Sequence, residues 1–423
     1  MHKVPKIALI SASLLWIPLP AFSGGFIEDS SGTLTFRNYY FDRDYKGESN
    51  IKQQREWAQG FTLDIKSGYT EGPIGFGLDF LGQWGVKLDS SKDRAGTGLL
   101  PVGTDGRADN SYSEMGLTGK LRYSKTELHV GTLRPMLPVL ISSPARLLWQ
   151  TFQGGYLRSK DINDLSLHAG YLNRVNHRDS TDNEKIGVAA PNGRFNGAAR
   201  SDEFLFFGGD YQAKPNLTLS YYYARLNEIY QQHYLGLQHN FALGPGEFKS
   251  DLRYFLSDEA GEGKAGSVDN QSIIANFSYQ QGTHKITLGG HLLSGDTALP
   301  YISSSEALRM AELAMNSDFS NPDEHYWDVR YDYDFAGWGI PGLTTVARFM
   351  KGTNIELAER YGGKGLEETE RSFWVSYAVQ SGPLKGVNFR IKNARYQNSF
   401  ASNASFRDAN QTRVEIWYSM KLW

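Results

Sequence analysis

Residues 77–88 read GLDFLGQWGVKL, with Leu78, Phe80, Trp84, Val86 and Leu88 at even positions and Asp79, Gln83 and Lys87 at odd ones. Side chains of an extended chain point to opposite faces in turn, so this spacing predicts a strand with one apolar and one polar face. The pattern recurs. In FTLDIK, Phe61, Leu63 and Ile65 oppose Thr62, Asp64 and Lys66. In LSLHAGYLNR, Leu165, Leu167, Ala169 and Tyr171 oppose Ser166, His168 and Arg174, and in IIANFSY, Ile273, Ala275, Phe277 and Tyr279 oppose Asn276 and Ser278. WDVRYDYDF sets Trp327, Val329, Tyr331, Tyr333 and Phe335 against Asp328, Arg330, Asp332 and Asp334. The C-terminal stretch places Val414, Ile416, Tyr418, Met420 and Leu422 on one side.

The connections alternate as well. Short turns with Gly, Pro, Asn or Asp chemistry occur at 71–75, 124–127, 159–164, 213–216, 244–247, 281–284, 336–342 and 381–386. Longer polar segments lie at roughly 43–58, 89–111, 133–156, 173–203, 224–233, 256–271, 294–326, 352–370 and 396–411. Eight turns and nine loops predict eighteen strands. An even strand number, with short turns on one side and long loops on the other, is the plan of a transmembrane β-barrel in a bacterial outer membrane. A ring of that size encloses more volume than side chains fill, so the charged face meets water inside and the apolar face meets lipid. A soluble sandwich, propeller or β-helix would invert that polarity, and no fixed-period repeat supports the last two. The expected fold is therefore all-β: an 18-stranded antiparallel transmembrane barrel.

Composition sharpens this. The 423 residues include 24 Tyr, 23 Phe and 9 Trp, suiting aromatic belts at two membrane interfaces. Mean hydropathy is −0.46 and formal net charge −2, which favours no nucleic-acid partner. With no cysteine, disulfides, thiolate metal sites and cysteine nucleophiles are excluded. Lys3 and Lys6 precede an apolar run from Ile7 to Phe22, and AFS at 21–23 offers small residues for cleavage. This reads as a secretory signal over 1–23, cleaved after Ser23, with a barrel over 24–423. The run is too short to span comfortably and holds Pro18 and Pro20, which disfavours a membrane anchor. Beyond it no apolar run approaches the length of a membrane helix.

The stretches GGFIEDSSGTLTFRNYYFDRDY (24–45), QREWAQGFTLDIKSGYTEGPIGFGLD (53–79), GTLRPMLPVL (131–140), ARLLWQTFQGG (145–155) and SGPLKGVNFRIKNARYQ (381–397) resemble the OprD-type porins, substrate-specific outer-membrane channels of pseudomonads and relatives. The resemblance runs through the mature chain. It implies an eighteen-stranded barrel narrowed by inward-folded constriction loops, uptake of small carboxylate-bearing solutes, and a ladder of basic residues down one lumen wall. One departure is the last residue: Trp423 falls on the opposite parity to Leu422, Met420 and Tyr418, unlike the end of many outer-membrane barrels.

GTLRPMLPVLISSPARLLWQTFQGG would expose Met136, Leu137, Val139, Leu140 and Ile141 as an apolar patch if it lay outside. Folded into the lumen, stiffened by Pro135, Pro138 and Pro144, it narrows the pore and brings Arg134 and Arg146 to the eyelet. In NFRIKNARYQ, Phe389 and Ile391 share one parity, so Arg390 and Lys392 face water; Arg395 needs a bulge near Asn393 to join them. These three occupy the stretch that matches the family's ladder. By parity Arg37, Arg174 and Arg348 also face the lumen. Guanidiniums grip carboxylates bidentately, and successive weak sites let a solute leave as readily as it arrives. Alternatively these arginines pair with Asp328, Asp332, Asp334 or Glu415 and only organise the wall. In the seventh loop, Ala307–Ala314 reads as a short helix capped by Ser304 or Ser305, with Asp296, Tyr301 and Ser303 facing the basic wall.

No G-x-S-x-G elbow, H-E-x-x-H, EF-hand or Walker A spacing occurs, so the chain reads as a passive channel and not an enzyme, with no cofactor or metal. The competing function is a plugged barrel serving as structural anchor or adhesin. Expected partners are small carboxylate solutes, outer-membrane lipid and lipopolysaccharide, and the barrel assembly machinery, with the chain a monomer or loose homotrimer in the Gram-negative outer membrane.

Overall fold

The structure is a computed structural model and describes residues 25–47, 51–306 and 314–423. The expected secretory signal and the seventh-loop helix lie outside the described residues. Eighteen long strands run Ser31–Tyr45, Gln53–Lys66, Ile74–Asp89, Ser111–Tyr123, Thr126–Leu133, Thr151–Ser159, Leu165–Asn176, Phe204–Lys214, Leu217–Leu226, Tyr230–Leu243, Gly246–Glu259, Asp269–Gln281, His284–Ser294, His325–Asp334, Leu343–Ile355, Leu366–Ala378, Asn388–Asn398 and Ala409–Lys421. Each pairs antiparallel with its sequence neighbours, and the first closes on the last from Thr33↔Lys421 to Tyr45↔Ala409. Closure leaves no sheet edge, as a strand protein in hydrocarbon requires. Helix among the described residues is confined to three single 3-10 turns, and none is long and apolar enough to cross a membrane.

The polarity is inside-out. Leu78, Trp84, Trp327, Val329 and Tyr331 stand on the exterior, between 39% and 50% exposed. Their strand neighbours turn inward: Gln83 and Asp328 are buried, and Asp79 lies 2.6 Å from Lys120. Inward charges are covered because long loops fold over the mouth and pack on the wall. Leu137, Val139 and Leu140 of the 134–150 loop join Leu172, Val175, Phe204 and Tyr301 in one apolar cluster. Leu147 and Leu148 join Tyr39, Phe41 and Tyr112 in another.

All eight short turns lie between the expected strands. One long connection does not exist: 224–233 is a three-residue turn over 227–229, with Glu228 at φ 62°. Polar residues beside it are strand, not loop. Gln232 faces inward and donates to Ser257 Oγ at 3.0 Å and the Pro300 carbonyl at 3.2 Å. Where one barrel face is polar by design, a polar run does not mark a loop.

Candidate functional site

Inside the barrel lies a cavity of about 1230 Å³. Nine basic and four acidic described side chains line it, an excess of five positive charges. One wall comes from the first, seventeenth and last strands. Arg37 and Arg43 share the inward parity of Tyr39 and Phe41. Arg413 sits opposite Phe41 and Lys392, and Arg390 opposite Glu415. The strands thus stack Arg43, Arg413, Lys392, Arg37 and Arg390 down one side.

The 134–150 loop completes this wall. Ser142 N–H donates to the Pro135 carbonyl at 2.9 Å, closing a hairpin whose rungs are Met136↔Ile141 and Leu137↔Leu140. Its return carries Arg146 onto the ring of Phe41. Three guanidiniums then surround that ring, Arg413 at 5.0 Å, Arg43 at 5.2 Å and Arg146 at 5.3 Å from its centroid. Such contacts are worth about 0.5–2 kcal/mol each. Burial, with the guanidiniums of Arg413 and Arg178 alongside, pushes the Arg146 pKa well below its ordinary value.

The partners of these cations differ. Arg37 donates to Glu415 Oε2 at 2.7 Å, with Lys392 Nζ 3.6 Å from the other oxygen, and Arg134 pairs with Asp64. Arg43, Arg146, Arg178 and Arg413 instead donate to neutral oxygens. Their acceptors are Gln411 Oε1 at 2.9 Å, the Thr97 carbonyl at 3.1 Å, Ser143 Oγ at 3.0 Å and the Met315 carbonyl at 2.7 Å. The Nε–H groups of Arg178 and Arg413 are buried without an acceptor among the described residues. These arginines are positioned without being neutralised.

The 295–324 loop, described over 295–306 and 314–324, also lines the cavity and meets the basic wall where the Met315 carbonyl accepts from Arg413. It docks on the 134–150 loop through Glu306 N–H to the Ile141 carbonyl at 3.0 Å, Ser143 Oγ to Glu306 Oε1 at 2.5 Å, and Gln150 Nε2 to the Ser303 carbonyl at 2.9 Å. It is clamped from the 177–203 loop by Arg194, whose Nη1 and Nη2 donate to both oxygens of Asp318 at 2.8 and 2.7 Å. Burial lowers the Arg194 pKa, but the Asp318 carboxylate, with Tyr301 and Glu324 alongside, raises it above its ordinary value.

Of the residues expected at the site, Arg37, Arg134, Arg146, Tyr301, Ser303, Arg390 and Lys392 line this cavity. Tyr301 spends its hydroxyl on Asp318 at 2.7 Å. Four others lie elsewhere. Arg348 has inward parity but is buried in the wall, donating to Asp328 Oδ2 at 2.7 Å and Tyr326 Oη at 3.0 Å. Arg174 follows a bulge at Asn173, where Gln153↔Arg174 gives way to Gly154↔Leu172; it contacts its neighbour's carbonyl and not the cavity. Asp296 is exposed at the start of its loop. Arg395 faces outward: the register is unbroken on both sides of Asn393, so no bulge turns it in. Sequence reasoning passed over Arg43, Arg178 and Arg413. Arg43 shares Arg37's parity and Arg413 opposes Val414 and Ile416, so both were readable; Arg178 sits in an irregular loop with no such signal.

The model of the outer membrane porin, OprD family, matches residues 24–422. This chain belongs to that family. The OprD porin described here is 36% identical over 420 residues to the porin-like protein GalP of Pseudomonas putida, covering 99% of this chain and 98% of GalP. Its barrel is similar to the crystal structure of Acinetobacter baumannii OccAB2, with TM-score 0.90, 44% identity, and 95% of this chain and all of OccAB2 covered. It is also similar to Pseudomonas aeruginosa OpdK solved with vanillate, with TM-score 0.87, 36% identity, and 94% of this chain and all of OpdK covered. The chain is thus an OprD-family porin of the outer membrane, a substrate-specific channel rather than an enzyme.

Proposed function

We propose that this porin passes small carboxylate-bearing solutes, aromatic acids among them, passively along its basic wall. One observation supports the reading: Arg43, Arg146, Arg178 and Arg413 line the cavity and, among the described residues, donate only to neutral acceptors, leaving their charge for a transiting anion. Arg37, Lys392 and Arg390 continue the path inward. Charge-assisted contacts at successive stations bind weakly enough to release. Vanillate in the OpdK structure is an aromatic carboxylate and supports the class. Arg134, Tyr301 and Ser303 frame the eyelet under this proposal, and export follows from the signal over 1–23. Liposome swelling with carboxylates of graded size, beside amines and neutral analogues of equal size, tests it. Faster swelling with the carboxylates is expected; equal rates for all three classes overturn it. The plugged-anchor reading predicts no conductance steps in a planar bilayer, and the open cavity weighs against it.

A further inference from the structure

Arg395 turns out of the barrel, and its cross-strand partner is Arg371. Both are exposed on the face that elsewhere carries Phe373 and Ile391. Side chains directly opposite on antiparallel strands have Cβ atoms about 5 Å apart, and like charges there repel. Neither guanidinium has a carboxylate partner among the described residues; Arg371 rests over the Phe349 ring at 5.7 Å. Lys351, two residues along the strand from Phe349, adds a third cation nearby, held 3.1 Å from Glu367. Asn410 stands opposite Arg395, and Asn393 donates to Thr412 Oγ1 at 3.0 Å.

The height of this pair follows from the ladder register. Cross-strand partners lead from Arg371 through Phe349, Val329, Leu288, Phe277, Ser250 and His239 to Leu217, which abuts a two-residue turn. In the other direction they lead through Arg395 and Asn410 to Asp44, at the edge of a long loop. Seven steps of about 4.8 Å, on strands tilted about 40°, raise Arg371 roughly 20 Å above the short-turn rim. The apolar band of such a barrel is about 25 Å tall. Arg371, and Arg395 one step higher, therefore stand in the top few ångströms of the band, within side-chain reach of the headgroups of the outer leaflet. Long basic side chains at that level extend toward headgroup anions.

We propose that Arg371 and Arg395, with Lys351, form an exterior site for the phosphorylated headgroup of an outer-leaflet glycolipid, one phosphate bridging the two guanidiniums. The bridge relieves their mutual repulsion, and a planar guanidinium matches phosphate bidentately. Phe349, Phe373 and Trp327 beside and below receive acyl chains. The site is independent of what passes through the lumen.

The purified porin in neutral detergent is titrated with bisphosphorylated lipid A, with the same lipid stripped of phosphate, and with inorganic phosphate, following thermal unfolding. The wild type is expected to gain stability with lipid A alone. Arg371→Gln/Arg395→Gln is expected to bind it about tenfold or more weakly, with liposome swelling unchanged. Arg371→Lys/Arg395→Lys is expected to restore part of the loss. Equal stabilisation of the wild type by the phosphate-free lipid, or by inorganic phosphate, overturns the proposal whether or not the Gln pair assembles. So does unaltered lipid A affinity in the Gln pair.

Discussion

The Arg194 guanidinium is buried, donating to both oxygens of Asp318 and to Asn321 Oδ1 at 2.8 Å, with Asp318 its ion-pair partner. Removing one partner of a buried pair leaves an uncompensated charge, at a cost of about 3–5 kcal/mol. Asp318→Asn is therefore expected to lower the unfolding midpoint in lipid vesicles and expose the 295–324 loop to protease. Close by, Glu324 is fully buried and accepts from Asn321 N–H at 3.0 Å and Asn321 Nδ2 at 2.9 Å, while its other carboxyl oxygen has no hydrogen-bond partner among the described residues. Burial, and then the Glu368 carboxylate, holds its pKa well above the ordinary carboxyl range. Between the ordinary and the raised value the folded loop binds more protons than the unfolded chain, so its stability declines as pH rises through that window. Protease sensitivity of the loop should grow as pH rises above the ordinary carboxyl range of about 4–5, and Glu324→Gln should flatten the profile. A wild-type loop indifferent to pH would refute this. On the basic wall, Arg390→Gln/Lys392→Gln is expected to slow carboxylate-driven swelling about tenfold while leaving neutral solutes unaffected.

At the scale of elements, parity was legible and docking was not. Asp328, Arg348, Arg37, Arg390 and Lys392 all point inward as alternation requires, because register in a two-faced strand is pinned by the lipid outside. Arg395 shows the limit: inward placement needed a bulge, and the ladder runs through Asn393 without one. The one bulge that moved a candidate, at Asn173, left no mark in the local sequence. The apolar run in 134–150 betrayed that its loop folds in, since Leu140 and Val139 have nowhere else to hide. What stayed hidden was its partner, since hydrogen bonds such as Gln150 to the Ser303 carbonyl join residues far apart in the chain and have no period. Deleting 137–143 should raise single-channel conductance. A subtler change acts from beneath: a Cβ on Gly60 would stand 3.0 Å from Leu147 Cγ, so Gly60→Val should lift that loop and raise conductance without deleting it. Unaltered conductance in both variants would mean the loop does not set the pore width.

For the whole molecule, the count of eighteen strands was readable because turns and loops alternate in length, and the single misread loop did not alter it. The lipid-facing band supplies the test of orientation. Val329 lies on the exterior between Leu288 and Phe349, mid-band. Val329→Arg should cost about 2–4 kcal/mol, read as a lower urea midpoint in bilayers, whereas charges near the rim cost far less.

Glu415 gives the channel an unusual internal economy. Under the proposed function, a carboxylate arriving at Arg37 and Lys392 finds those cations already holding one, tethered to the wall. Transit past this point is then an exchange of counter-ions, as on a resin, where the visitor displaces the resident and is displaced in turn when the chain swings back. If solutes pass in this way, none is held for long, and throughput is expected to rise toward a plateau as the outside concentration climbs, which uptake measured against concentration checks.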